Sequence, residues 1–156
     1  MKKVIQRLTT QLTVALLAVA LLAGPSLAAD IAVNLAAVEA QWLPPGGTAG
    51  DEITMWGFVT VPDPTAFSCP GPASPPDWSI GPRIQAIAGD NITINLRNCL
   101  DEAVSIFIPG QSSALSPVFS GNRVTSLAPI TPANSGATIV PYVWNGVEAG
   151  THIYHS

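Results

Sequence analysis

Residues Asn91-Ile-Thr-Ile-Asn-Leu-Arg-Asn98 alternate Ile92, Ile94 and Leu96 with Thr93, Asn95 and Arg97. A period of two puts the apolar side chains on one face of an extended chain and the polar ones on the other. The segment is therefore expected to be a half-buried strand, entered through a Gly89-Asp90 turn. A second alternating run, residues 103–108, aligns Val104, Ile106 and Ile108 and stops at Pro109-Gly110. Further strands are expected at residues 31–38, 52–59, 83–88, 137–144 and 151–155. Beyond the amino terminus no segment carries a 3.6-residue apolar period, and 15 prolines with 13 glycines oppose a helical bundle. The expected class is all-β. Short strands joined by Gly/Pro-rich connections suit an antiparallel Greek-key sandwich or barrel.

Seven prolines fall between Pro62 and Pro82. Proline fixes φ and lacks an amide hydrogen, so this stretch cannot be a central strand. It is expected to be a long ordered excursion between two strands rather than a linker, since neither flank is large enough to fold alone. A second irregular region is expected at residues 111–134.

The amino terminus has the layout of an export signal. Lys2, Lys3 and Arg7 precede a nearly uninterrupted apolar run of twelve residues from Leu12 to Ala23, Gly24-Pro25 breaks it, and Ser26-Leu27-Ala28 offers small residues at −3 and −1. Twelve residues fall short of the roughly 17–25 needed to cross a bilayer. No cysteine follows the run, which argues against a lipid anchor. Residues 1–28 are thus expected to be a signal peptide and residues 29–156 one domain, periplasmic or secreted and free of the membrane after cleavage. After cleavage the chain keeps Arg83, Arg97 and Arg123, no lysine and all ten acids, a net charge of −7. A surface of that sign repels nucleic acid and anionic lipid, because both are bound through Lys and Arg. Export also permits disulfides, which makes Cys69 and Cys99 a candidate pair, with metal ligation as the alternative.

Two histidines and two cysteines limit the metal chemistry available within this chain. His152 and His155 are three apart, and on a regular strand such a pair points to opposite faces and cannot chelate one metal. No strand–turn–helix Gly-x-Ser-x-Gly elbow surrounds Ser156, and Asp101-Glu102 falls in a turn, where both acids are solvated. Asn91-Ile-Thr93 matches a glycosylation sequon. Trp42, Trp56, Trp78 and Trp144 leave open a sugar-binding sandwich, although scattered Trp in a small sandwich usually serve the core.

Several stretches together resemble the amino-terminal cupredoxin (plastocyanin-like) domain of bacterial multicopper oxidases of the laccase-like family. Gly81-Pro82-Arg-Ile84 followed by Ala88-Gly-Asp-Asn-Ile-Thr-Ile-Asn-Leu-Arg-Asn98 is similar to its Gly-Pro…Gly-Asp…strand-Asn signature. Val104-Ser-Ile-Phe-Ile-Pro-Gly110 stands where the family carries its first copper motif, and Gly150-Thr-His-Ile-Tyr-His-Ser156 resembles its Pro-Gly-Thr-x-x-Tyr-His-Ser-His segment. The resemblance covers residues 31–156 and implies a cupredoxin-like Greek-key sandwich, incomplete at its C-terminal end. It also implies a place in a copper-dependent oxidoreductase that couples one-electron substrate oxidation to dioxygen reduction.

Phe107 and Pro109 occupy the two positions where that family has His-x-His. Of the ligands such a domain supplies, His155 alone is present, as one imidazole toward a copper cluster. Copper is therefore expected to be weakly held or absent in this chain alone, and the chain is not expected to be competent by itself. Its expected partners are further cupredoxin domains of a longer chain or an oligomer. The reading frame is expected to continue past Ser156 with another His and a closing strand. The alternative is a copper-free cupredoxin-like structural or interaction module, for which Phe107 and Pro109 suit an apolar interface.

Overall fold

The computed structural model describes residues 28–71, 74–112 and 115–156. The expected signal peptide lies outside the described residues, apart from Ala28. Six strands are formed: β1 (Asp30–Trp42), β2 (Ile53–Thr60), β3 (Asn91–Asn98), β4 (Val118–Ser120), β5 (Arg123–Ser126) and β6 (Val140–Trp144). Among the described residues there is no helix. The main sheet runs β2-β1-β3-β6, and β4-β5 form a separate hairpin. β1 pairs antiparallel with β2 and parallel with β3, from Asp30↔Asn91 to Ala37↔Asn98, while β3 pairs antiparallel with β6. A parallel pair needs a long crossover. Here β2 and the proline-rich excursion supply it.

β3 buries every second residue, with Ile92, Ile94, Leu96 and Asn98 inward. Leu35 and Ala37 of β1 and Tyr142 and Trp144 of β6 join that face. Val104, Ile106 and Ile108 close the other side of the core. The last three alternate as the sequence suggests, yet residues 103–108 form no strand; two isolated bridges, Val104↔Thr131 and Phe107↔His155, hold them. Residues 83–88 also stay outside any ladder, and Ile87 is 74% exposed. The 111–134 region contains the β4-β5 hairpin, turned through Gly121 at φ +60°.

β1 departs from strand alternation where it matters most. Leu35, Ala36, Ala37 and Val38 are all buried, because the excursion covers the outer face that the alternation would leave wet. Four contacts hold it there. Arg97 Nη1 donates to the Pro64 carbonyl at 2.8 Å. Gln41 N donates to Pro76 O at 2.9 Å and Trp78 N to Gln41 O at 2.8 Å. Cys69 and Cys99 form a disulfide with their Cα atoms 5.5 Å apart. Asn98, fully buried at the end of β3, donates from Nδ2 to the carbonyls of Glu102 and Pro132 at 2.7 and 3.0 Å, and its Oδ1 accepts from Leu100 N. One buried side chain thereby satisfies three backbone groups where the chain leaves β3.

Candidate metal centre

Ile106 and Ile108 face the core, so the residue between them, Phe107, is turned outward toward the 151–156 segment. Phe107 N donates to His155 O at 2.9 Å, and His155 N donates to Phe107 O at 3.1 Å. This single antiparallel bridge replaces the strand expected at residues 151–155. It sets the Phe107 and His155 rings edge to face, 6.3 Å apart between centroids and 78° between planes. Two segments separated by almost fifty residues are thus joined by backbone pairing, independently of what their side chains bind.

The donors at this junction are few. His155 is exposed, and its Nδ1 lies 3.1 Å from the Ser156 carbonyl. Phe107 has no lone pair, and Pro109 offers only its carbonyl oxygen. That oxygen lies 3.4 Å from Nδ1 of His152. His152 packs between two glycines: a Cβ on Gly110 would lie 3.6 Å from its Nδ1, and one on Gly150 would lie 2.9 Å from its Nε2. Strand parity therefore does not govern the two histidines, because their segment is not a strand. Both reach the same loop, His155 at Phe107 and His152 at Pro109 and Gly110.

Both cysteine sulfurs of the chain are spent in the Cys69–Cys99 disulfide, so neither is a thiolate ligand. Among the described residues no three His, Cys, Asp or Glu side chains converge as a metal-binding group. A copper cluster held by paired imidazoles does not fit this donor set.

Beside the junction lies a cleft of about 400 Å3, with Ile84, Ile92, Ile108 and Tyr154 among its walls and Arg83 and His152 on its lining. Gln111, also on the lining, imitates a ladder rung with its side chain: Nε2 donates to Glu148 O at 3.0 Å, and Oε1 accepts from Glu148 N at 2.9 Å. No spacing in the sequence announces this pair, 37 residues apart. The Tyr154 hydroxyl donates to Pro82 O at 2.8 Å, and burial raises its pKa above the ordinary tyrosine value. Tyr142, deeper in the core, is raised for the same first reason, and its hydroxyl donates to Pro129 O at 2.7 Å.

The remaining sequence candidates do not gather at a site. Trp42 and Trp78 meet edge to face at 6.5 Å, Trp144 is fully buried, and Trp56 stands exposed on the opposite sheet face from Trp42. They form no common stacking platform. Asn91, the sequon residue, donates to Asp30 Oδ1 at 2.7 Å and accepts from Gly146 N at 3.0 Å, which occupies both ends of its amide.

An all-β cupredoxin-like fold with two facing signature segments at one end defines the class. The sequence profile of the multicopper oxidase family matches residues 77–156, and the chain belongs to that family. No curated protein matches it.

Proposed function

We propose that this chain is an exported cupredoxin domain of the copper-oxidoreductase kind that does not turn over substrate by itself. It acts beside further cupredoxin domains, in a longer chain or an oligomer, that carry the copper. The reaction of the assembly is oxidation of a substrate coupled to dioxygen reduction, and this domain contributes at most His155 to it. The observation that carries the reading is the Phe107–His155 bridge: the junction is assembled, but one imidazole faces a phenyl ring. The leader pattern supports a periplasmic or secreted location. A processed charge of −7 supports partners other than nucleic acid and anionic membranes. The test is an oxygen-electrode assay of the exported, copper-supplied chain with phenolic and metal-ion reductants. No oxygen uptake above buffer is expected; sustained, protein-dependent uptake contradicts the reading.

A second reading, a copper-free interaction module, is favoured by the apolar side chains exposed on and after the β4-β5 hairpin: Phe119, Val124, Leu127 and Ile130. The coding sequence downstream of Ser156 separates the two. Paired His motifs there support the oxidase assembly, and their absence supports the module.

A further inference from the structure

Asp90 is a buried carboxylate, 7% exposed, whose two oxygens are both taken by neutral backbone amides. Oδ2 accepts from Ile87 N at 2.8 Å, closing the Gly89 turn, and Oδ1 accepts from Ala29 N at 2.8 Å. Ala29 is clamped on its other side as well, since its carbonyl accepts from Asn91 N at 2.8 Å. The position of the Ala29 nitrogen is therefore held by the β1-β3 ladder and by Asp90. Ala28 and Ala29 are both exposed, so the bond between them is open to solvent. That bond is also the one the Ser26-Leu27-Ala28 pattern marks for cleavage.

We propose that the Asp90 carboxylate is the receptor for the amino terminus created when a signal peptidase hydrolyses the Ala28–Ala29 bond, so that processing turns a neutral hydrogen bond into a part-buried ion pair. The inference rests on the export reading given above. In the step, water adds across the peptide bond. Ala28 departs with the hydroxyl oxygen as a carboxylate, and the Ala29 nitrogen gains one proton as the amine and a second from solvent as the ammonium. No oxidant or reductant takes part. Before cleavage the Ala29 nitrogen brings one amide hydrogen and no charge to Asp90. Afterwards the same nitrogen brings a full positive charge to an oxygen 2.8 Å away. Charge-assisted hydrogen bonds are roughly twice as strong as neutral ones, and each partner then favours the charged form of the other. Maturation would fasten the first strand at the point where the leader is lost.

The charged groups on these elements nearest Asp90 in sequence or register are Asp30 on β1, Arg83 on the segment leading to Ile87, and Glu148 after Val147; Glu39 on β1 and Arg97 on β3 stand toward the other ends of their strands, with Arg97 donating to Pro64 O. The Asp30 carboxylate is engaged by Asn91 Nδ2 at 2.7 Å, which leaves Asp90 as the carboxylate hydrogen-bonded to the Ala29 nitrogen.

The sequence makes the test unusually clean. Residues 29–156 contain no lysine, so the α-amine is the sole primary amine of the processed chain. The precursor is exported with its own leader, the product's first residue is read by Edman sequencing, and the amine is reductively methylated with a 13C label. Its titration is then followed by NMR in the folded protein and in urea. The product is expected to start at Ala29, and the folded protein to bind the amine proton about tenfold more tightly than the unfolded chain, a one-unit rise in pKa. Asp90→Asn should abolish that difference, and Asp30→Asn should preserve it. A product starting elsewhere overturns the cleavage assignment. A product starting at Ala29 whose amine titrates alike folded and unfolded overturns the ion pair while leaving export standing. Should Asp90→Asn fail to fold, the folded-against-urea comparison on the unsubstituted chain decides alone.

Discussion

The Tyr154 hydroxyl donates to the carbonyl of Pro82 at 2.8 Å, joining two signature segments 72 residues apart. The residue before that proline, Gly81, has φ +88°, and a Cβ there would come within 2.8 Å of the same hydroxyl oxygen. The glycine is needed twice, once for its backbone and once for the space the phenol fills.

This gives a controlled comparison. Gly46 has nearly the same dihedral, φ +83°, with nothing within 4 Å of a built Cβ. Gly46→Ala should cost about 1–2 kcal/mol for the left-handed backbone alone. Gly81→Ala should cost about 1 kcal/mol more, by displacing the Tyr154 hydrogen bond, and Tyr154→Phe about 0.5–1.5 kcal/mol. Urea denaturation of the three variants measures this, and equal costs for the two glycines would remove the proposed contact.

The disulfide should dominate the stability of the excursion. It closes a separation of 30 residues, for which the chain-entropy relation gives about 3–4 kcal/mol. Reduction, or Cys69→Ser with Cys99→Ser, should lower the urea midpoint accordingly. It should also expose the outer face of β1 at Ala36 and Val38, read as faster amide exchange there than in β3. Two titratable thiols in the unfolded, unreduced protein would contradict the bridge.

Acid should loosen the Gly89 turn. The amides of Ala29 and Ile87 hold the Asp90 carboxyl below its ordinary value of 3.8. A depressed folded pKa contributes stability that is present above the unfolded value and lost as pH falls through the folded one. Stability should therefore decline from about pH 4 downward. Asp51 and Asp63, held low by the amides and hydroxyls of Thr48 and Thr65, add to that decline from the surface. Asp90→Asn should flatten the acid limb, as followed by thermal unfolding between pH 2 and pH 6. An unchanged limb would assign the effect to the surface acids.

Much of this arrangement was legible in advance, for physical reasons that differ by segment. β3 declares itself because Ile92, Ile94 and Leu96 must share a face, and the excursion because prolines cannot enter a central ladder. The same prolines hid a consequence: by covering β1 they bury Ala36 and Val38, which alternation alone would have left exposed. The 103–108 run was right in its faces and wrong in its ladder, since burial depends on the side chains and strand pairing on what lies alongside. The β4-β5 hairpin has its own turn signal, the Gly121-Asn122 pair between Ser120 and Arg123. The proximity of Phe107 to His155 was implied by family resemblance, but nothing in spacing gives it. Contacts across dozens of residues depend on register, which a linear pattern does not carry.

The central claim is that residues 107–110 and 152–155 are joined by backbone pairing while lacking the donors to hold copper. Metal analysis with visible spectroscopy tests this most directly, on the exported chain and on a Phe107→His, Pro109→His variant, each loaded with copper and dialysed. The account predicts well under one copper per chain and no intense visible band for the unsubstituted protein. It predicts at least about tenfold tighter retention in the variant, where two imidazoles would join His155 across an unchanged bridge. One tightly held copper in the unsubstituted chain would contradict it.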